Sequence, residues 1–575
     1  MIRPPTASSA RLCRIAVTGL LLACAGCAGP FWRPEDEING PTLQRLHEIK
    51  AVNLESRSGA EPITVEQAAD EAIEELIKRS MTRESVEVSL TDVRAAALAG
   101  NLDLKVELVN PSIAQAIVDE EEAKFEMTFF GSARRTRRDD AVEFVTDASK
   151  SDLTRLDLGV NIPLRTGGRI IVDLPFGRSD TGFAGQDFST FGGTSYDAAL
   201  QFSISQELLR GAGIDTNTYS IKVARYQRKI TDAQTKLEAI RILANADRAY
   251  WLVYARRRQL DVRIQQYELA VEQLEQARRR FNAGAAPELD VIRAESGVAS
   301  SLEDIIIAET ILKRRQRDLK RIMNRPDLPI SSPTSIITTT QPDPVFLDLD
   351  PVALGEYAVA NRMEMLELEF RLAIDAVTID LEKNSALPLF TLDYSYNIQG
   401  RESSWGGALN QISNRTFTGW SVGINAEIPI GNEAAKARVH RSILARLQRL
   451  STKELRRLAI LQEVYNAVDL LNQEWQRILA ARQAVILTGR TFQGEKRQFE
   501  VGVRTSTDVL DAAARLADAQ SSEVQALADY QIARVDIAFG TGTLLGYGRI
   551  LWTPIDLPDG QESPAKARGG AEEVD

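Results

Sequence analysis

Two stretches of this chain, residues 216–281 and 433–499, run for some 65 residues without a proline. The first also lacks glycine, and the second has only Gly489 and Gly494. Both are rich in Ala, Leu, Arg, Gln and Glu, which are good helix formers. At 1.5 Å per residue, a helix of that length reaches about 100 Å. Few compact domains need such a helix; a rod or a tunnel does. In the second stretch Leu458, Leu461, Tyr465, Val468, Leu471, Trp475 and Ile478 recur at gaps of three and four, a coiled-coil-like stripe. The first stretch matches it at a constant offset, with Ala249 against Ala467, Leu252 against Leu470 and Leu260 against Ile478.

Each stretch ends in the same punctuation. Residues 281–294 read FNAGAAPELDVIRA and residues 499–512 read FEVGVRTSTDVLDA, so Phe, Gly, Asp, Val and Ala share five offsets. Gly502 stands where a helix end takes a left-handed residue. Thr505 and Asp508 have the spacing of a capping box, with Asp in place of Glu. In the first copy Pro287 takes a first-turn position, with Glu288 and Asp290 favourable near a helix N-terminus. Each copy therefore reads as a tight helical hairpin, and the chain as an internal duplication of a strand–helix–turn–helix unit.

Strand patterns precede each long helix. Residues 389–397 place Phe390, Leu392, Tyr394 and Tyr396 on one face, and residues 420–430 place Trp420, Val422, Ile424, Ala426 and Ile428. Residues 198–205 and 125–132 repeat the alternation. It suits a strand between lipid and water, and equally a soluble sheet with one packed face. No segment after the N-terminus offers 18 consecutive apolar residues, so a spanning role would require a barrel. The first half holds 42 additional residues around 135–195, which read as a further hairpin turned at Thr166-Gly167-Gly168. Asn101 and Asn361 mark matching helix breaks near the start of each half.

All three cysteines lie in the first 27 residues. Arg3, Arg11 and Arg14 precede a short apolar run and then small residues, which resembles a bacterial lipoprotein signal. Cys27 is the favoured lipid site and Cys24 the competing one; a plain secretory signal is the alternative. Either way the chain leaves the cytoplasm. The absence of Asp after either cysteine fits sorting to the outer membrane. The net charge of -11 argues against a nucleic-acid partner. His47 and His440, the only histidines, form no ligand spacing. There is no nucleophile–base set, metal-ligand cluster or phosphate loop, so an enzyme is not expected.

The duplicated turn, the opening SLTDVRAAALAGNLDL, and the strand-to-helix passages SISQELLRGAG and AEIPIGNEAAKARV together resemble the TolC-type outer-membrane efflux proteins over roughly residues 89–545. The resemblance implies a mixed α and β fold. Three protomers would form an outer-membrane β-barrel, four strands from each, continued by a long α-helical coiled periplasmic tunnel. Residues 1–27 would be the lipoprotein signal, 28–88 an N-terminal extension with an amphipathic helix near 64–79, and 89–324 the first repeat. Residues 325–350 would be a Pro-rich linker, 351–545 the second repeat, and 546–575 a partly disordered tail. The implied function is a passive export channel in the outer membrane, with no cofactor beyond a covalent lipid. Its implied partners are its own homotrimer, a periplasmic adaptor and an inner-membrane pump.

Carried over by position, Asp508 and Asp511 match acidic residues lining the tunnel entrance. Arg504, Phe499 and Asp290 match positions that hold that end shut, although Phe499 stands where the best-known member has Tyr and so lacks a hydroxyl. Gly284, Ala285, Gly502 and Val503 match tip residues that adaptors contact, and Pro287 departs from the pattern there. The second copy is the expected gate and the first its static partner. The competing reading is a lipid-anchored periplasmic coiled-coil protein of structural or adaptor type. It leaves the alternating strands without a purpose.

Overall fold

The computed structural model describes residues 84–139, 148–183 and 193–551. The expected signal, both candidate lipid sites, the helix near 64–79 and the end of the tail lie outside them. In chain order the elements are β1 (Ser85–Val88), α1 (Leu90–Gly100), α2 (Leu102–Glu107), α3 (Asn110–Ala123), β2 (Thr128–Asp139), β3 (Ala148–Pro163), β4 (Gly168–Phe183) and β5 (Thr194–Glu207). There follow α4 (Ile214–Asn217), α5 (Tyr219–Asn282), α6 (Glu288–Met323), β6 (Ser335–Thr338), α7 (Pro351–Asn361) and α8 (Met363–Ser385). The second half closes with β7 (Leu389–Glu402), α9 (Trp405–Ser413), β8 (Phe417–Glu427), α10 (Glu433–Glu500), α11 (Ser506–Gly540) and α12 (Leu544–Tyr547).

The two proline-free stretches are α5, of 64 residues, and α10, of 68. Local chemistry sets the shorter boundaries. Ser89 and Asp92 form a reciprocal capping box at the start of α1. Asn101 divides α1 from α2: its side-chain oxygen accepts from the Leu104 N–H at 3.0 Å, and its amide donates to the Ile322 carbonyl at 3.1 Å. The corner is thus tied to the end of α6.

The main core forms where α1, β1, β6 and α6 meet the middle of α5. Tyr250, Leu319, Val93 and Ile336 are fully buried there, beside Trp251 and Met323. The rings of Tyr250 and Trp251 meet edge-to-face with centroids 5.3 Å apart. The proline-rich stretch carries more structure than a linker. Its β6 pairs in parallel with β1, and the Tyr250 hydroxyl accepts from the Thr340 N–H at 2.8 Å. Farther on, Leu347 and Leu349 pack on the second core, formed by Leu471, Ile478 and Tyr530, and the Tyr530 hydroxyl bonds the Val345 carbonyl. One strap therefore ties the cores of the two halves.

The antiparallel sheet has six strands in the order β2-β3-β4-β5-β7-β8. This corrects the expected four per protomer: the hairpin around 135–195 lies in the sheet and supplies β3 and β4. The reason is continuous pairing, since β3 bonds β2 and β4, and β4 bonds β5, along most of their lengths. Register then places like with like. One row crosses all six strands as Phe129, Val160, Val172, Phe202, Tyr396 and Trp420. A row of the opposite face reads Thr128, Asn161, Ile171, Ser203, Ser395 and Ser421. The apolar face lies open: Trp420 is 73% exposed and Ile424 65%. At the end of the sheet away from the long helices, α9 crosses this face, with Trp405 5.0 Å from the Tyr196 ring centroid. Among the described residues no helix is long and apolar enough to cross a membrane.

One buried ion pair joins α1 to α5. Asp247 is fully buried and takes three bonds from Arg94, from Nε at 2.9 and 3.2 Å and from Nη2 at 2.7 Å. Burial pushes the Asp247 carboxyl above its usual range despite those bonds. Arg94→Met strands that carboxylate, and we expect a loss of about 3–5 kcal/mol of stability. Adding Asp247→Leu should restore most of it. Urea midpoints of the solubilised protein check both, and a single variant within about 0.5 kcal/mol of the parent would contradict this account.

Candidate functional site: the hairpin tips

The α5–α6 and α10–α11 turns are built alike. Gly284 and Gly502 have φ of 70° and 81°, a left-handed backbone that a side chain would strain. In the first tip the Gly284 N–H donates to the Phe281 carbonyl and the Ala285 N–H to the Arg280 carbonyl, both at 2.8 Å. In the second, Gly502 donates to Phe499 at 3.0 Å and Val503 to Gln498 at 2.9 Å. Both are Schellman ends, in which the last free carbonyls of a helix find donors beyond it.

The two tips differ where the next helix begins. Thr505 caps α11: its N–H and hydroxyl donate to Asp508 Oδ2 at 2.9 and 2.8 Å, and the Asp508 N–H returns to the hydroxyl at 3.4 Å. The corresponding N-cap of α6 is Pro287, which offers no side-chain bond. Pro287 thus sits one place before the first turn, not in it. Asp290 pairs instead with Arg293 of its own helix, at 3.7 Å.

Phe499 is buried, at 4% exposure, whereas its counterpart Phe281 is 42% exposed. The cause is a residue that sequence reasoning passed over. Arg280 holds its guanidinium 4.7 Å above the centre of the Phe499 ring and donates from Nη1 to the Phe499 carbonyl at 3.1 Å. A cation over an aromatic face and a charge-assisted hydrogen bond therefore join the first tip to the second. The only sequence signal was the basic run Arg278–Arg280 ahead of Phe281. Just behind the tips, Gly297 admits Leu510: a Cβ there would lie 2.7 Å from Leu510 Cδ1. Farther along, Arg263 ties α5 to Asp518 of α11 at 2.8 Å.

Arg504 turns back on its own hairpin, with Nε 3.2 Å from both Glu495 Oε2 and Gln498 Oε1. Asp508 is occupied by the cap, while Asp511 lies exposed one turn on. Gly284, Ala285, Gly502 and Val503 are all exposed, Val503 at 72%. The structure thus gathers Phe499, Arg504 and Asp508 at the second tip and leaves Asp290 on the first.

Bonds from the Thr505 N–H and hydroxyl hold the Asp508 carboxyl below its ordinary range. A depressed carboxylate stabilises fully above its unfolded pKa and loses that contribution as pH falls through the folded one. The cap should therefore persist through neutral and mildly acidic solution. We expect Asp508→Ala to speed amide hydrogen exchange at 506–509, while Asp511→Ala leaves it unchanged. Equal effects of the two changes would show that Asp508 is not the cap.

Comparison with known proteins places this geometry. Residues 93–325 and 354–543 match the family described as "Outer membrane efflux protein". The outer membrane protein TolC of Vibrio cholerae serotype O1 is 24% identical over 345 residues, covering 60% of this chain and 76% of TolC. Escherichia coli K12 TolC is 24% identical over 421 residues, covering 71% and 78%. Among solved structures, the CmeC outer membrane channel of Campylobacter jejuni superposes with a TM-score of 0.59 at 15% identity, covering 79% of this chain and 86% of CmeC. The fold, with helical hairpins running from one end of an antiparallel sheet, is the one that this channel has. The chain belongs to the outer membrane efflux protein family, a family of transport channels and not of enzymes.

Proposed function

We infer that this chain acts as a homotrimeric, passive export channel of a tripartite efflux system, gated at its hairpin tips. It would receive cargo from an inner-membrane pump through a periplasmic adaptor and release it outside the cell. The observation that carries the gate is the bond pair from Arg280 to Phe499. The link is a single side chain that reaches from one tip to the other beyond the Leu510–Gly297 contact, so breaking it loosens the ends of the two hairpins. It replaces the hydroxyl bond that Phe499 cannot make.

The coiled-coil adaptor reading fares worse. A water-soluble protein does not leave apolar residues such as Phe129, Trp420, Val422 and Ile424 open on one face of a sheet. Three copies of Asp508 and Asp511 would bring six carboxylates around the entrance, a ring that favours cations. Within one copy the bonds from Thr505 hold the Asp508 carboxyl below its ordinary range, which favours its ionised form. Gly284, Ala285, Gly502 and Val503 would form the adaptor's landing surface. Covalent lipid at Cys27, with Cys24 as the rival site, would tether the chain at the membrane.

Arg280→Ala removes a contact worth about 1 kcal/mol or more in each copy. In planar bilayers we expect its conductance to exceed that of the parent. Arg280→Lys should fall between, because it keeps the charge without the planar fork. Asp508→Ala with Asp511→Ala should lower cation preference. Parental conductance and selectivity throughout would remove the gate from these tips. Mass spectrometry of the mature N-terminal peptide should find a diacylglyceryl cysteine at position 27; an unmodified terminus would refute the tether.

A further inference from the structure

We propose that three copies of this chain close an eighteen-stranded barrel, with the β3–β4 hairpin built into its lipid-facing wall. The proposal rests on the channel reading above and departs from the twelve strands that the resemblance implies.

The hairpin shares the wall's chemistry as well as its hydrogen bonds. On one face it presents Leu156, Leu158 and Val160 from β3 and Val172, Leu174 and Phe176 from β4. Pairing puts Val172 opposite Phe202 and Phe176 opposite Ala198, in step with the apolar residues of β5. Between those positions the opposite face carries Arg155, Asp157 and Asp173. The apolar stretches on β3 and β4 are each long enough for most of the roughly 9–11 residues that a tilted strand needs to cross.

Curvature gives the second argument. A concavity of about 740 Å³ opens on the polar face, and its walls include Leu153 and Arg155 of β3, Gly177 of β4, Asp197 of β5, Arg401 of β7 and Phe417 of β8. One hollow can touch five neighbouring strands only if the sheet curls toward that face. The curl runs through the hairpin, with the polar side inward, as a water-filled barrel requires.

The hairpin is also fixed at its turn. The Gly213 N–H donates to the Thr166 carbonyl at 3.1 Å, and Gln206 Nε2 donates to the same oxygen at 3.0 Å. These bonds tie the turn to the junction of sheet and helix. The hairpin cannot swing out of the wall without breaking them.

The occupants of the two sheet edges follow. Among the described residues, β2 and β8 each lack a partner on one side. In hydrocarbon those unpaired N–H and C=O groups would cost several kcal/mol apiece, so the sheet must close. Six antiparallel strands put β2 and β8 in opposite directions. The β8 of one copy can then pair antiparallel with the β2 of the next while Trp420 and Phe129 keep the same face outward. Three copies of six strands make eighteen. Because barrel diameter grows roughly with strand number, this wall is about 1.5-fold wider than one of twelve, in the range that leaves an aqueous channel. Cargo would meet its constriction at the tips and not in the membrane.

Nitroxide labels in lipid vesicles test this. Single cysteines at Leu158→Cys, Val172→Cys, Asp157→Cys and Val422→Cys are compared, with the unsubstituted protein as background for native cysteine. Collision with oxygen reports lipid, and collision with a water-soluble nickel chelate reports solvent. We expect oxygen to be favoured several-fold more at Leu158, Val172 and Val422 than at Asp157. Nickel access at Leu158 and Val172 with oxygen preference at Val422 would overturn the proposal and leave the channel reading standing. Nickel access at Val422 as well would sink both. Electron microscopy of the full-length trimer in nanodiscs counts the strands directly: eighteen supports the proposal and twelve refutes it.

Discussion

The antiparallel pairing of β5 with β7 is the joint on which the rest of the structure depends. It brings together strands almost two hundred residues apart, with Phe202 opposite Tyr396 and Ile204 opposite Tyr394. A slip of one residue would turn every apolar side chain of one half to the polar face. The pairing continues past the strands into the junction below. The Leu208 N–H donates to the Phe390 carbonyl at 2.8 Å, and the Gly211 N–H donates to Asn384 Oδ1 at the same distance. The start of α5 and the end of α8 are thereby held together, so both repeats leave the sheet at one level. Their hairpin tips can meet at the far end only because the helices begin in step.

Along that length the two halves are joined by several modest contacts. Arg263 reaches Asp518, Gly297 receives Leu510, and Arg280 covers Phe499. A long helix pair transmits a small change at one end only if the intervening contacts are stiff. Here the middle holds the main core, where Tyr250 and Trp251 are buried with residues of α1 and β6. Toward the sheet, α10 instead leaves Leu444, Leu447, Leu455 and Leu458 between 50% and 69% exposed. A helix of one isolated copy has no reason to carry that face. Neighbouring copies in a trimer do.

Much of this was legible in the residues. The absence of proline marks the long helices because a single interior proline would break them. The Phe-x-x-Gly turn is legible because a Schellman end needs its glycine, and the Thr505–Asp508 box because its bonds are local. The expected stripe on α10 was half right: Val468, Leu471 and Ile478 are buried, but Leu458 faces out. What escaped was long-range. The β3–β4 hairpin has no counterpart in the second half, so duplication could not place it. β1 and β6 are four residues each and pair across 250 positions. Arg280 finds Phe499 219 residues away, and nothing in either local sequence announces the other.

A division of labour follows from the two kinds of bonding. A closed sheet shares its backbone hydrogen bonds around the whole ring, so widening it would break a full ladder of them. The tips are held by side chains, each worth on the order of 1 kcal/mol. A partner landing on the proposed surface at Gly502 and Val503 would supply energy of the second size. It could not supply the first. On the proposed function, control of passage would sit at the tips, whatever the width of the barrel. The differing N-caps, Thr505 at one tip and Pro287 at the other, also give them unequal hold on their helices. The asymmetry lies within one chain, so a symmetric trimer repeats it three times around the entrance.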